Sequence, residues 1–210
     1  MPAIGAFVRE QSAQIPHWIG HSLGGTALAA ALGGQHLGAP AVASVALFGC
    51  QVSRTHWPLK IPPLEWTGRL LLKRFGEVSG VRLKRGPEDE PAGVMIEAMR
   101  WNGLFGRFGD GKQDWWKGLA DVDVPLLAVS AAGDQQDPDW ACRKLFEQVG
   151  SEHRQYLCLG RKRGFSGDFG HVEMLVSKAA QAEVWPLMAQ WLKDPLTPLF
   201  AAEPQVAATV

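Results

Sequence analysis

The stretch that most constrains this chain is Trp18-Ile19-Gly20-His21-Ser22-Leu23-Gly24-Gly25. It reads as the end of a buried strand, a Gly-x-Ser-x-Gly turn and the start of a helix. Pro16–Ile19 is the strand candidate, and Thr26–Leu32 is a run of good helix formers. Reversing a strand into a helix within two residues forces Ser22 into a strained backbone conformation. Gly20 and Gly24 are expected to lack the side chains that would clash where strand and helix cross. The strain holds the Ser22 hydroxyl at the tip of the turn. The first turn of the helix leaves the N–H of Leu23 unpaired beside it, placed for a developing oxyanion. In this context the turn is a nucleophile elbow.

A serine hydroxyl is a weak nucleophile at neutral pH. It needs a base to take its proton, and the base needs an orienting carboxylate. On a parallel sheet such partners come from the carboxyl ends of other strands. Three more strands are expected. Val42–Gly49 and Val124–Ala131 are apolar without alternation, as strands buried on both faces are. Arg154–Gly160 is the last. Asp134 follows the second of these runs, and Asp137 is the reserve for the acid. Asp139 reads as the N-cap of a helix over 139–149, with Trp140, Leu145, Phe146 and Val149 as its apolar contributors. His171 follows the last strand, delivered by the glycine-rich loop 161–170, in which Asp168 shapes the turn. A closing helical region over 173–192 is expected to be kinked or divided at Pro186. His21 reads as a packing residue, His17 as facing the core or a neighbouring strand, and His36, His56 and His153 as surface residues.

Residues 51–120 differ in character. They hold five of the nine tryptophans and repeated proline and glycine breaks. Helices are expected over Leu64–Phe75, with Leu64, Leu71 and Phe75 on a shared face, over Pro91–Leu104, and from Trp115. A helical insertion between two buried strands reads as a cap over the strand ends. Trp57, Trp66, Trp101, Trp115 and Trp116 would then line an apolar substrate pocket; the alternative is that they fill an extra core. Residues 2–12 read as the end of an amphipathic helix with Ile4, Phe7 and Val8 on one face. The whole is one α/β domain over 1–210, a parallel sheet with flanking helices and a cap insertion at about 51–120.

Composition excludes several classes. Lys+Arg and Asp+Glu are 21 each, so no net charge points to nucleic acid or an acidic membrane surface. The basic runs 82–85 and 161–163 read as solvated loops. No apolar run is long enough to span a bilayer. Cys50, Cys142 and Cys158 have no metal-ligand spacing. Their odd number, with no signal peptide, points to reduced thiols in the cytoplasm.

Gly20-His21-Ser22-Leu23-Gly24-Gly25, then Asp134 behind Pro125–Val129, then Gly170-His171, resembles the α/β-hydrolase family, specifically its serine hydrolases with a helical cap. The resemblance spans nearly the whole chain and is weakest across 51–120. It implies hydrolysis of a carboxylic ester or related acyl bond through an acyl-enzyme, with Ser22, Asp134 and His171 catalytic, Leu23 in the oxyanion hole, and neither metal nor organic cofactor. Serine at the elbow separates the chain from the family's dehalogenase and epoxide-hydrolase branches, which use Asp there. In the family a second oxyanion donor comes from a loop well before the elbow. Here one strand and one helix precede Ser22. The expectation is an N-terminally incomplete fold with impaired activity and an exposed sheet edge open to self-association. The competing expectations are an interaction protein that keeps the residues without turnover, and an acyltransferase using the same triad.

Overall fold

The computed structural model describes residues 2–12, 14–53, 61–80, 89–102 and 106–199. Its centre is a four-stranded parallel sheet of β1 (His17–His21), β2 (Ser44–Phe48), β5 (Leu126–Ala131) and β6 (Arg154–Leu159), in the order β1-β2-β5-β6. Helices α1 (Pro2–Gln11), α2 (Leu23–Gly33), α6 (Asp139–Gln148), α7 (Glu173–Val176) and α8 (Lys178–Lys193) alternate with the strands along the chain. Between β2 and β5 come α3 (Pro62–Phe75), the short antiparallel pair β3 (Glu77–Val78) and β4 (Glu90–Pro91), α4 (Ala92–Asn102) and α5 (Trp115–Gly118).

The apolar runs dictate the sheet's place. Every residue of β2 and β5 is buried. The pleat sends alternate side chains to opposite faces. Val45, Leu47, Leu126 and Ala128 enter a core with Leu28 and Leu32 of α2 and Leu145 of α6. Ala46, Phe48, Leu127 and Val129 enter a second core with Met174 of α7 and Ala180, Val184 and Trp191 of α8. Each fully buried Leu or Val contributes about 1.5–3 kcal/mol, so the two central strands and the helices that cover them hold the core together.

Away from the centre the pattern is looser. On the edge strand β1, Ile19 is exposed, as are Ile4 and Phe7 on α1, so of the expected apolar face of the first helix only Val8 is half-buried. On α3, Leu64, Leu71 and Phe75 share a face as expected, yet all three are exposed and no residue of the helix is buried. Trp140 on α6 is exposed too, while Ala141, Cys142 and Leu145 are buried on that helix. The closing region divides at Ser177 rather than at Pro186. Ser177 Oγ accepts the Ala180 N–H at 3.0 Å and caps α8, and Pro186 lies within that helix. A serine that satisfies an orphan donor begins a new helix more cheaply than a proline breaks an existing one. Among the described residues, no helix is long and apolar enough to cross a membrane.

Candidate active site

β1 runs through His21, and α2 begins at Leu23, leaving Ser22 alone to make the reversal. Its backbone sits at φ 52°, ψ −121°, a region that side-chain-bearing residues rarely adopt. Its N–H donates to the Phe48 carbonyl at 2.9 Å, and its carbonyl accepts the Thr26 N–H at 3.0 Å. The elbow is therefore tied to both the next strand and its own helix. The glycine that the crossing needs, besides Gly20, is Gly25 and not Gly24. A Cβ on Gly20 would lie 2.7 Å from the Gly25 backbone, and one on Gly25 would lie 2.8 Å from Cys50 Cβ. A Cβ on Gly24 would meet nothing within 4 Å.

Asp134 stands in the turn after β5. Its side chain is fully buried. Oδ1 accepts the N–H groups of Gln136 and Asp137, each at 2.9 Å, and Oδ2 lies 2.8 Å from His171 Nδ1. The loop after β6 brings the histidine there. Asp168 Oδ1 accepts the Arg161 N–H at 2.8 Å, so Asp168 does shape this loop, and the Phe169 carbonyl accepts the Gly133 N–H at 3.1 Å. A Cβ on Gly133 would lie 2.0 Å from the Asp168 carbonyl oxygen, so only glycine lets the two turns meet. Glu173 then accepts the Gly170 N–H at 2.9 Å and fixes the residue before the histidine.

With Asp134 on Nδ1, the reserve acid Asp137 falls on the other side of the ring. Its Oδ2 is 3.9 Å from His171 Nε2. Gln51 Nε2 donates to Asp137 Oδ1 at 3.0 Å, and Gln51 Oε1 accepts the Ser53 N–H at 2.7 Å. Asp139 is not the N-cap of α6: Pro138 holds that position. Its Oδ1 instead accepts Ser130 Oγ at 2.5 Å and the Tyr156 hydroxyl at 2.9 Å, pinning α6 to β5 and β6.

Three residues around the His171 imidazole and Asp137 escape a reading by motif. Gly49, at φ 48°, has no Cβ to meet Asp134 Oδ2 and the His171 ring, each of which would lie at 3.2 Å. Its signal was a glycine closing an apolar run. Gln51 carries no sequence signal. His21 does more than pack: its Nε2–H donates to the His171 carbonyl at 2.9 Å, and the two rings lie 4.6 Å apart. Burial and the neighbouring His171 lower the His21 pKa and outweigh this bond, which by itself raises it, so the neutral ring is favoured. His17 meets a strand neighbour, its Nδ1 lying 2.7 Å from Ser44 Oγ. Cys50, buried beside the elbow, has its thiol pushed up to about 12 by desolvation and stays protonated.

Three of the named tryptophans, Trp101, Trp115 and Trp116, join a core cluster. Trp115 stacks edge-on with Trp101 and Phe108, and its backbone packs on Gly33 at the far end of α2 from Ser22. A helix of that length is about 15 Å long. Trp101, Trp115 and Trp116 pack against the core that contains α2, which is the extra-core alternative for these side chains. Trp66 is two-thirds exposed and lines a cavity of about 640 Å³ with Arg69, Arg100 and Arg107; Ser22, Asp134 and His171 are not among the residues lining it. Trp57 lies outside the described residues. Among the described residues no cluster of His, Cys, Asp or Glu could hold a metal ion.

No protein-family profile matches the chain, and no curated protein matches it in sequence. Solved structures do match it in fold. A monoacylglycerol lipase from Paleococcus ferrophilus aligns over 92% of this chain and 74% of its own, at 14% identity and a TM-score of 0.60. A structure of the metagenome-derived lipolytic enzymes LipS and LipT aligns over 91% and 70%, at 15% identity and a TM-score of 0.61. MGS-MChE2, an alpha/beta hydrolase enzyme from a sediment metagenome of the Mar Chica lagoon, Morocco, aligns over 91% and 67%, at 14% identity and a TM-score of 0.51. The fold of this chain is that of the α/β-hydrolases.

Proposed function

We propose that the chain is a serine hydrolase that cleaves a carboxylic ester or related acyl bond. The observation that carries this reading is the buried Asp134–His171 pair, bonded at 2.8 Å, in the neighbourhood of an elbow whose serine is backbone-strained. His21, the residue before Ser22, is hydrogen-bonded to His171 itself. Fold alone would not fix a chemistry, since one fold hosts many. The lipase and lipolytic names of its structural neighbours agree with the site.

In this reading His171 Nε2 takes the Ser22 proton as Oγ attacks the substrate carbonyl, forming the C–O bond of a tetrahedral oxyanion. The Leu23 N–H at the start of α2 donates to that oxyanion. The imidazolium returns its proton to the leaving alcohol as the C–O bond to it breaks, leaving an acyl-Ser22. Water, activated by the same nitrogen, then releases the acid and restores the serine. His171 Nδ1–H donates to Asp134 Oδ2 throughout, so the carboxylate holds the ring without taking its proton, while its other oxygen is held by two backbone donors. No metal or organic cofactor takes part in these steps. Cleavage yields acid and alcohol; an acceptor alcohol in place of water would make the second step acyl transfer.

A fluorophosphonate probe tests the reading directly. It is expected to label the folded protein on Ser22, with labelling abolished in Ser22→Ala. Turnover of short-chain p-nitrophenyl esters should fall by about 10⁴-fold or more in Ser22→Ala. Folded wild-type protein that neither labels nor turns over any ester would reject it.

A further inference from the structure

His171 has a carboxylate at each ring nitrogen, and only one belongs to a Ser-His-Asp arrangement. Asp134 bonds Nδ1 at 2.8 Å. Asp137 Oδ2 lies 3.9 Å from Nε2, the nitrogen that exchanges protons with Ser22 in the proposed reaction. The position is built. Gln51 donates to Asp137 Oδ1 at 3.0 Å and is itself held through the Ser53 N–H. The carbonyl of Asp137 accepts the Cys142 thiol at 3.3 Å, so backbone and side chain are both engaged. The Asp137 side chain is 16% exposed and that of His171 8%, so solvent screens the pair weakly.

We propose that Asp137, clamped by Gln51, is a second positioning carboxylate for His171, acting on its Nε2 edge and favouring the imidazolium over the neutral ring. This rests on the hydrolase reading only for its catalytic consequence; the electrostatic effect stands without it. A carboxylate within about 4–6 Å of an imidazole favours the charged form. Among the described residues, Asp134 and Asp137 from the loop after β5 and His21 from the end of β1 are charged or titratable groups that face the ring. The β2 end presents Gly49, which has no side chain, and Glu173 of α7 is engaged by the Gly170 N–H. His21 is lowered by burial and stays neutral near pH 7, so it does not offset the two carboxylates with a charge of its own.

The consequence is an acid-side brake. A stronger base takes the serine proton more readily, but it is neutral, and able to act, only at higher pH. Removing the Asp137 charge should move activity toward acid. This separates Asp137 from Asp134, whose loss removes the orienting bond to Nδ1.

The test is an NMR titration of the His171 Cε1–H signal in the whole chain, compared across wild type, Asp137→Asn and Gln51→Leu. Asparagine keeps the shape and can still accept from Gln51. In Asp137→Asn the midpoint should fall by about one pH unit. The acid limb of kcat/KM should move down by the same interval, a change that mere loosening of the loop would not give. In Gln51→Leu the carboxylate remains but is unclamped, and a smaller shift in the same direction is expected. A midpoint unmoved in both folded variants, or raised in either, overturns the proposal. Should Asp137→Asn not fold, Asp137→Ser and Gln51→Leu are read by the same criterion. Fluorophosphonate labelling of the same samples reads the hydrolase proposal separately. A shifted midpoint with unlabelled Ser22 rejects hydrolysis and keeps the second carboxylate; labelling with unmoved midpoints does the reverse.

Discussion

β5 and α3 are both rich in large apolar residues, yet they end in opposite environments. All six residues of Leu126–Ala131 are buried. None of the fourteen in Pro62–Phe75 is, and Leu64, Trp66, Leu70, Leu71 and Phe75 all lie open. The difference is geometric. A strand inside a parallel sheet is covered by helices on both faces whatever its sequence period, so an unbroken apolar run finds a partner on either side. A helix buries only the stripe that something covers. Along α3 the apolar side chains lie on two sides of the helix, Leu64, Leu71 and Phe75 on one and Trp66 and Leu70 on the other. The half-buried Glu65, Arg69 and Leu72 lie between these two sides, and the helix as a whole contacts α4. Apolar content therefore predicts burial in the two central strands and fails to predict it along α3.

Paired truncations sharpen the contrast. Leu127→Ala removes a side chain that is 1% exposed, between β5 and α8, and should cost about 2–5 kcal/mol in urea unfolding. Leu70→Ala removes one that is 69% exposed and should cost within about 0.5 kcal/mol. Comparable losses at the two sites would mean that α3 is covered in solution, and the comparison would fail.

A second pair looks within the elbow. Gly25→Ala drives a Cβ to 2.8 Å from Cys50 Cβ, where a strand end and a helix start cannot both hold their places; overpacking of this kind costs about 1–3 kcal/mol. Gly24→Ala meets open space and should be neutral or stabilising by up to about 1 kcal/mol, since alanine is the better helix former. Thermal unfolding of the two variants separates them. Equal destabilisation would show that the crossing is not what demands glycine here.

The same contrast explains what could be read before any coordinates. The parallel sheet was legible because β2 and β5 are dominated by apolar residues without alternation, each holding a single serine, and β1 because a glycine-rich turn follows it. The strand actually extends through His21, two residues further than Pro16–Ile19 suggests, because its pairing with β2 continues to Phe48. Asp134 and His171 were legible because each follows a strand at the same end of the sheet, and they meet at 2.8 Å. What stayed hidden depends on approach distances rather than residue pattern. Gly25 is indistinguishable from Gly24 in a string of letters, and only Cys50, from another strand end, tells them apart. Asp137 and Asp139 look like further acids, but one faces the opposite nitrogen and the other is claimed by Ser130 and Tyr156. The packing of Trp101, Trp115 and Trp116 was not legible because an apolar side chain carries no mark of which apolar surface it will join. Trp115 and Trp116 reached the C-terminal end of α2, the end away from the elbow.

The smallest expected effect concerns Asp139, on the well-packed side of the comparison. Its carboxyl is partly desolvated, which pushes its pKa up, but donors from Ser130, Cys158 and Tyr156 and the nearby Arg143 outweigh this and leave it lowered. A lowered folded pKa means the unfolded chain takes up the proton first as acid is added. The stabilisation is then fully present above the ordinary carboxylate value near 3.8 and is lost as pH falls through the lower folded value. Asp139→Asn keeps the shape and can still accept from the two hydroxyls. It should cost about 1 kcal/mol at pH 7, the difference between charged and neutral hydrogen bonds at a site more than a third exposed. That deficit should shrink as the pH is lowered from 5 toward 2, because the wild-type carboxyl is itself neutralised there. Urea unfolding across that range measures it. A deficit that holds constant into acid would mean that Asp139 stabilises α6 through its shape alone, and that the charge contributes nothing to fastening the helix against β5 and β6.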